Sequence, residues 1–180
     1  GYTPTSARAS KAVVDVTLNT NSSSLTMPAG TVFNTAVDGV SYNFSTITDV
    51  TKSNTGNSIP FTNIDIYEGT FITTRYSVDS SDVDQRFLLT DNRADTTTLT
   101  VKVQTSSSDS TTTTYTKATD ITQLTASSNV YFLQEVEAGV FEIYFGDGII
   151  GSALSDGNII ILTYVVSNKS LANGAALFDN

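Results

Sequence analysis

The chain of 180 residues contains no cysteine, no histidine and no tryptophan. Each absence removes a class of chemistry. Without cysteine there is no disulfide, no zinc–thiolate site and no thiol nucleophile. Without histidine the commonest general base and the commonest transition-metal ligand are missing. Without tryptophan the largest aromatic platform for stacking a sugar ring is missing. No Ser-x-x-Lys with matching partners offers a substitute nucleophile and base. Basic residues are few, 9 against 18 acids, for a net charge of −9. They are scattered from Arg8 to Lys169 with no local patch. Phosphate backbones are bound by clustered Lys and Arg, so nucleic acid is not an expected partner. No apolar run approaches the roughly 20 residues of a membrane span, and no membrane partner is expected. No secretory signal is visible. The first residue is Gly1, not Met, and the chain reads as a piece of a longer protein.

What is present is Ser and Thr. Apolar residues make up 39% and charged residues only 15%. The stretches NTNSSSL (19–25), DTTTLT (95–100) and QTSSSDSTTTTYTK (104–117) supply most of the difference. Threonine favours strands and serine favours turns. Alternation of period two recurs, as in a strand with one face inward. It runs through Val14, Val16 and Leu18, through Val40, Tyr42 and Phe44, and through Leu99, Val101 and Val103. Residues 130–133 and 140–145 read as two more strands. Residues 159–166 (IIILTYVV) are apolar on both faces, the pattern of a central strand covered on both sides.

Helical signals are sparse. SARASKAVV (6–14) reads as the tail of a helix, and residues 120–124 read as a single turn capped by Thr119 or Asp120. The three prolines, Pro4, Pro28 and Pro60, fall between expected strands. Residues 48–58 and 106–113 read as long loops. The expected fold is mainly β: antiparallel sandwich or barrel-like sheets, a candidate inserted β subdomain, and at most one or two short helices. In that reading residues 1–66 and 156–180 form one discontinuous β region, and 67–155 are the insertion.

Four glycines and two aspartates crowd the stretch FGDGIIGSALSDGN (145–158). A phosphate-binding loop needs a Lys and a Ser or Thr after its glycines, and none follows here. A calcium loop needs converging oxygens closed by a bidentate Glu, which is also absent. The acidic run Asp79–Asp84 lacks the glycine and the closing Glu in the same way. Asp-Gly pairs are strong turn formers. Gly146, Asp147, Gly148, Gly151, Asp156 and Gly157 therefore read as turn residues, as do Pro28 and Gly30. Ile149 and Ile150, between the two turns, are expected to tuck into the core or an interface. The best enzymatic candidate is Glu135, Glu137 and Glu142, paired carboxylates of the kind that hydrolyse glycosides. The competing reading is a charged hairpin rim that discourages edge pairing. Tyr131, Phe132, Phe141, Tyr144, Phe145 and Tyr164 read as core aromatics.

Several phrases, in order, resemble one family. MPAGTVF (27–33) with VDGVSYNFSTI (37–47), DQRFLLTDNRADTTTLTVKV (84–103), and FEIYFGDGIIGSALSDGNIIILTYVVSNKSLANGA (141–175) are similar to segments of the baseplate J-like wedge proteins of contractile-tailed bacteriophages. The entry GYTPTSARASKAVV (1–14) is similar to the family's approach to this region from a helical part. SNKSLANGA (167–175) departs from the more glycine-rich end of many relatives. The resemblance implies a structural component of the tail baseplate wedge, located in the virion and assembled in the host cytoplasm. It implies self-association as a dimer or ring, contacts with other wedge proteins, no catalysis, no cofactor and no small-molecule substrate. The alternative from composition is an extracellular adhesin or carbohydrate-binding β domain. A third, weaker reading is a tail-associated depolymerase acting through Glu135, Glu137 and Glu142.

Overall fold

The computed structural model describes residues 6–168 and 177–179. They fold mainly into strands, with no α-helix among the described residues. The chain divides into two compact units, one built from Arg8–Phe71 with the chain from Val165 onward, the other from Ile72–Tyr164 with the residues before Arg8.

The first unit starts with β1 (Lys11–Asn19), β2 (Ser24–Met27), β3 (Val32–Val37), β4 (Val40–Ser45), β5 (Val50–Ser53) and β6 (Ser58–Glu68). A four-stranded sheet runs in the order β1-β6-β4-β3, and β2 pairs with β5 as a separate ribbon. The sheet curves as a half-barrel around Phe33, Phe44, Phe61, Ile59 and Ile66. Each of these side chains is worth about 1.5–3 kcal/mol when fully removed from water. Val14 and Val16 of β1 lean on this cluster from the edge strand. The β3–β4 hairpin turns on Asp38 and Gly39, both at positive φ (52° and 80°), which matches the twist of its strands.

Two expectations fail in this unit. The stretch read as a helix tail enters β1 instead. Its alanines favour a helix, yet Val13, Val14 and Val16 are β-branched, and antiparallel pairing with β6 prevails. The loop expected over 48–58 contains β5 and the first residue of β6. A four-residue strand flanked by polar residues leaves little periodicity, and its partner β2 is remote in sequence.

The second unit holds most of β7 (Thr70–Ser77), then β8 (Phe87–Leu89), β9 (Ala94–Gln104), β10 (Thr112–Lys117), β11 (Val130–Glu137), β12 (Val140–Phe145) and most of β13 (Ile159–Val166). Its seven strands follow the order β7-β13-β9-β10-β11-β12-β8 in a nearly closed, barrel-like sheet. β10 and β11 run parallel, and a parallel pair cannot be joined by a tight turn. Residues 118–129 make the crossover and contain a single 3-10 turn, Ile121–Gln123, capped by Asp120, whose Oδ1 accepts the Thr122 N–H at 2.9 Å. In β13, Ile160, Leu162 and Tyr164 are fully buried, while Ile159, Ile161 and Thr163 are half-covered. Edge-to-face ring contacts link Tyr76, Phe87, Phe145 and Tyr115 in a row, with centroids 5.5–5.9 Å apart.

Candidate functional site

The glycine-rich stretch after β12 folds as two successive turns on the second unit. In the first, Asp147 Oδ1 accepts the backbone N–H groups of Ile149 and Ile150 at 2.8 and 2.9 Å. Those two donors hold the Asp147 carboxyl below the usual carboxylate range. Gly148 closes the turn on the Gly151 carbonyl at 3.0 Å with φ of +85°, a conformation costly for residues with a Cβ. Gly146 lies against Gly151 so closely that a Cβ on Gly146 would fall 2.2 Å from the Gly151 carbonyl carbon. The loop is anchored to the crossover: the Gly151 N–H donates to the Thr125 carbonyl at 3.0 Å and the Ser152 N–H to the Ser128 carbonyl at 2.8 Å.

The second turn is held by Asn158, whose Oδ1 accepts the Ser155 N–H at 2.8 Å and whose Nδ2 donates to the Thr105 carbonyl at 2.9 Å. Gly157 and Asn158 exchange backbone bonds with Val78, and Asp156 Oδ1 accepts the Ser80 N–H at 2.9 Å. The acidic run is thereby folded onto this turn. Asp79 and Asp82 accept N–H groups of their own loop, from Ser81 and Asp84. Among the described residues no group of three such side chains is placed to hold a metal ion.

Ile149 and Ile150 do not enter the core. Ile149 is 75% exposed and Ile150 is 45% exposed. Their N–H groups face the Asp147 carboxylate, and both side chains are left exposed at the turn. Gly146 and Leu154, on either side of the first turn, line a hollow of 210 Å³ together with Phe87, Phe145, Gln85 and Glu142, among others. Its lining mixes the apolar Phe87, Phe145 and Leu154 with the polar Gln85 and Glu142.

The three candidate catalytic carboxylates do not converge. Glu142 stands opposite Gln134 on β11 and is 5% exposed. Arg86 holds it through Nε, at 3.0 Å from both carboxylate oxygens, and through Nη2. The guanidinium depresses the Glu142 carboxyl below its ordinary range. Glu135 Oε1 accepts the Gly139 N–H at 2.8 Å and so caps its own hairpin. Glu137 is exposed beyond a bulge that breaks the register between the two. A glycosidase needs two carboxyl groups facing one bond, with one free to protonate the leaving oxygen. Here the buried carboxylate is neutralised by Arg86 and another serves a turn.

Tyr131, Phe141 and Tyr164 are core, Phe132 and Phe145 are half-buried, and Tyr144 is exposed. The Pro28–Thr31 turn belongs to the first unit. The Thr31 N–H donates to the Pro28 carbonyl at 3.2 Å, and the Gly30 N–H donates to the Thr46 carbonyl at 2.8 Å. Thr46 Oγ1, in a residue only 1% exposed, donates to the Pro28 carbonyl at 2.8 Å and accepts the Thr31 N–H at 3.0 Å.

Sequence reading missed the Arg86–Glu142 pair and the hollow. Neither leaves a local signal, because Arg86 and Glu142 meet only through the β8–β12 pairing.

A search of curated proteins finds no match. A family model does match. It is described as bacteriophage baseplate wedge protein gp6, third domain, and it covers residues 72–175. The matched stretch takes in the seven-stranded sheet and the two-turn loop, while the Met27–Phe33 phrase lies outside it. Since the match spans more than half of the chain, this chain belongs to the family of the third domain of the baseplate wedge protein gp6, a structural component of the phage tail baseplate.

Proposed function

We propose that the chain is a non-enzymatic building block of the baseplate wedge, joining copies of itself and other wedge proteins as the baseplate assembles in the host cytoplasm. The observation that carries this reading is the family match over residues 72–175. The exposed tip at Ile149 and Ile150 supports it, since an apolar tip on a tightly anchored loop is suited to meeting another protein surface. The turn residues hold that tip in place and have no part in chemistry. Co-expression with the other tail proteins of the same phage tests the role. The expected result is a wedge-sized particle that contains this protein and fails to form when it is omitted. A complete wedge particle formed without it would reject the proposal.

A further inference from the structure

The four-stranded sheet of the first unit ends at β3. An end strand presents a row of backbone N–H and C=O groups with which a further extended segment can pair. At Asn34 the chain itself supplies that segment. The Asn34 N–H donates to the Asp179 carbonyl at 2.7 Å, and the Asp179 N–H donates to the Asn34 carbonyl at 2.8 Å, as one antiparallel bridge. Along β3 the side chains alternate, with Phe33 and Thr35 buried and Val32, Asn34 and Ala36 exposed. With Asn34 opposite Asp179, Phe178 stands opposite Thr35 and so on the buried face. There its ring packs edge-to-face on Phe44, centroids 5.0 Å apart, against the core cluster of the unit. Leu177, on the other side of Phe178, is 85% exposed.

We propose that the outer edge of β3 is a docking groove for an extended segment of another protein that carries an aromatic anchor, and that residues 177–179 are its displaceable resident. The resident displays the chemistry that the groove accepts: a backbone pair on Asn34 and, one residue earlier, a flat ring on Phe44. This is strand addition, in which main-chain bonds give affinity and a side-chain pocket gives selectivity. The hold on the resident is slight. β1 and β6 are paired along their length, whereas among the described residues one bridge and the Phe178 side chain hold residues 177–179. A contact of that size opens ahead of the sheet that carries it. Residues two apart in an antiparallel strand turn their backbone groups to the same side, so Val32 shares the edge with Asn34. A segment that continues past Asn34 to Val32 therefore pairs over a longer stretch than the resident does. The same residues of a second copy bring only the same bridge and ring, without the advantage of being tethered, and do not displace it. β3 and residues 177–179 lie outside residues 72–175, so this groove owes nothing to the family match.

Synthetic peptides titrated into the full chain, with backbone amides followed by two-dimensional NMR, test the groove. The short peptide AALFDN repeats residues 175–180. The long peptide AALFDNTVT adds strand-forming residues that run past Asn34 to Val32. The long peptide is expected to bind the parent chain several times more tightly than the short one and to shift the amides of Asn34 and Val32. Alanine in place of its phenylalanine is expected to abolish binding. Phe178→Ala in the chain removes the resident ring and is expected to tighten both peptides several-fold. Asp179→Pro, which removes only one bridging N–H, takes its place if Phe178→Ala does not fold. The proposal is overturned by any of four results: no binding, shifts away from β3, equal binding without the phenylalanine, or equal affinities for long and short peptides or for parent and variant chains. Light scattering of the parent and Phe178→Ala chains addresses the remaining occupant. Dimers of the parent that are lost in the variant would assign the groove to a second copy and overturn its assignment to another protein.

Discussion

Tyr76 Oη donates to the Leu88 carbonyl at 2.8 Å and accepts the Leu88 N–H at 3.3 Å. Tyr76 lies on β7 and Leu88 on β8, the two end strands of the seven-stranded sheet. One phenol thus bonds both backbone groups of a residue whose edge would otherwise be free. An open edge is a template for unwanted pairing, and a bond that satisfies it also draws the barrel together. Tyr76→Phe keeps the ring against Phe87 and removes only the hydroxyl. It is expected to cost about 1–2 kcal/mol in urea unfolding, the range for lost hydrogen bonds that leave partly buried partners unsatisfied. Hydrogen exchange at the Leu88 amide should accelerate more than at Ile143. Unchanged exchange at Leu88 would show that the phenol does not close the edge.

Thr46 plays a comparable part in the first unit, where its hydroxyl bridges both ends of the Pro28–Thr31 turn. Thr46→Val preserves shape and removes the bridge, and should destabilise by about 1–2 kcal/mol. Thr46→Ser keeps the hydroxyl and should cost less. A valine variant as stable as the serine variant would mean that the methyl group, not the bridge, matters at this site.

Legibility in the sequence follows the range of the interaction. The apolar run of β13 and the alternation of Val101-Lys102-Val103 in β9 are local patterns, and the strands lie where these patterns are. The Asp120 cap is local too, since the side chain reaches only to Thr122 and Gln123. The alternation of Val14, Val16 and Leu18 places a strand where β1 lies, and only its start, Lys11–Val14, departs from the expected helix tail, because Ala7, Ala9 and Ala12 carry a helical preference that pairing with β6 overrides. Of the two expected places for Ile149 and Ile150, core or interface, the core is excluded only by the structure, because hydrophobicity alone does not tell a buried pair from a displayed one. The Arg86–Glu142 and Tyr76–Leu88 contacts depend on strand order, and nothing near those residues encodes that order.

The glycines of the first turn separate two causes of intolerance. At Gly148 a Cβ would have room, 3.6 Å from the Ala153 Cβ, and the difficulty is the positive φ. Gly148→Ala should therefore cost about 1–2 kcal/mol, the left-handed penalty for an L-residue. At Gly146 the difficulty is space, because backbone atoms of Gly151 occupy the Cβ position. Gly146→Ala must displace the loop, so it should cost more than Gly148→Ala and also loosen the tip. Calorimetry gives the ranking, and proteolysis between Gly146 and Ala153 reports the loosening. Equal costs without enhanced cleavage would contradict the close packing of Gly146 on Gly151.

The Arg86–Glu142 pair makes stability depend on acidity in a definite direction. Arg86 holds the Glu142 carboxyl below its ordinary value of 4.5 in the folded chain. The folded state therefore releases this proton more readily than the unfolded state does. The resulting stabilisation is fully present above 4.5 and disappears as pH falls through the depressed folded value. Arg86 remains protonated throughout, its own pKa raised by Glu142. Asp147 and Asp91 are also depressed, by the N–H groups of Ile150 and Ile149 and by Arg93, so the parent chain has several sources of acid sensitivity. The difference between parent and Glu142→Gln isolates one. Urea midpoints measured from pH 7 down to pH 2 should lie farthest apart at neutral pH and converge in acid, with the parent the more stable at neutral pH. Arg86→Met, which leaves the buried carboxylate unpaired, should be less stable than Glu142→Gln at neutral pH and should gain stability relative to it as Glu142 is protonated. A gap between parent and Glu142→Gln that does not change with pH would mean that the pair contributes packing and not charge.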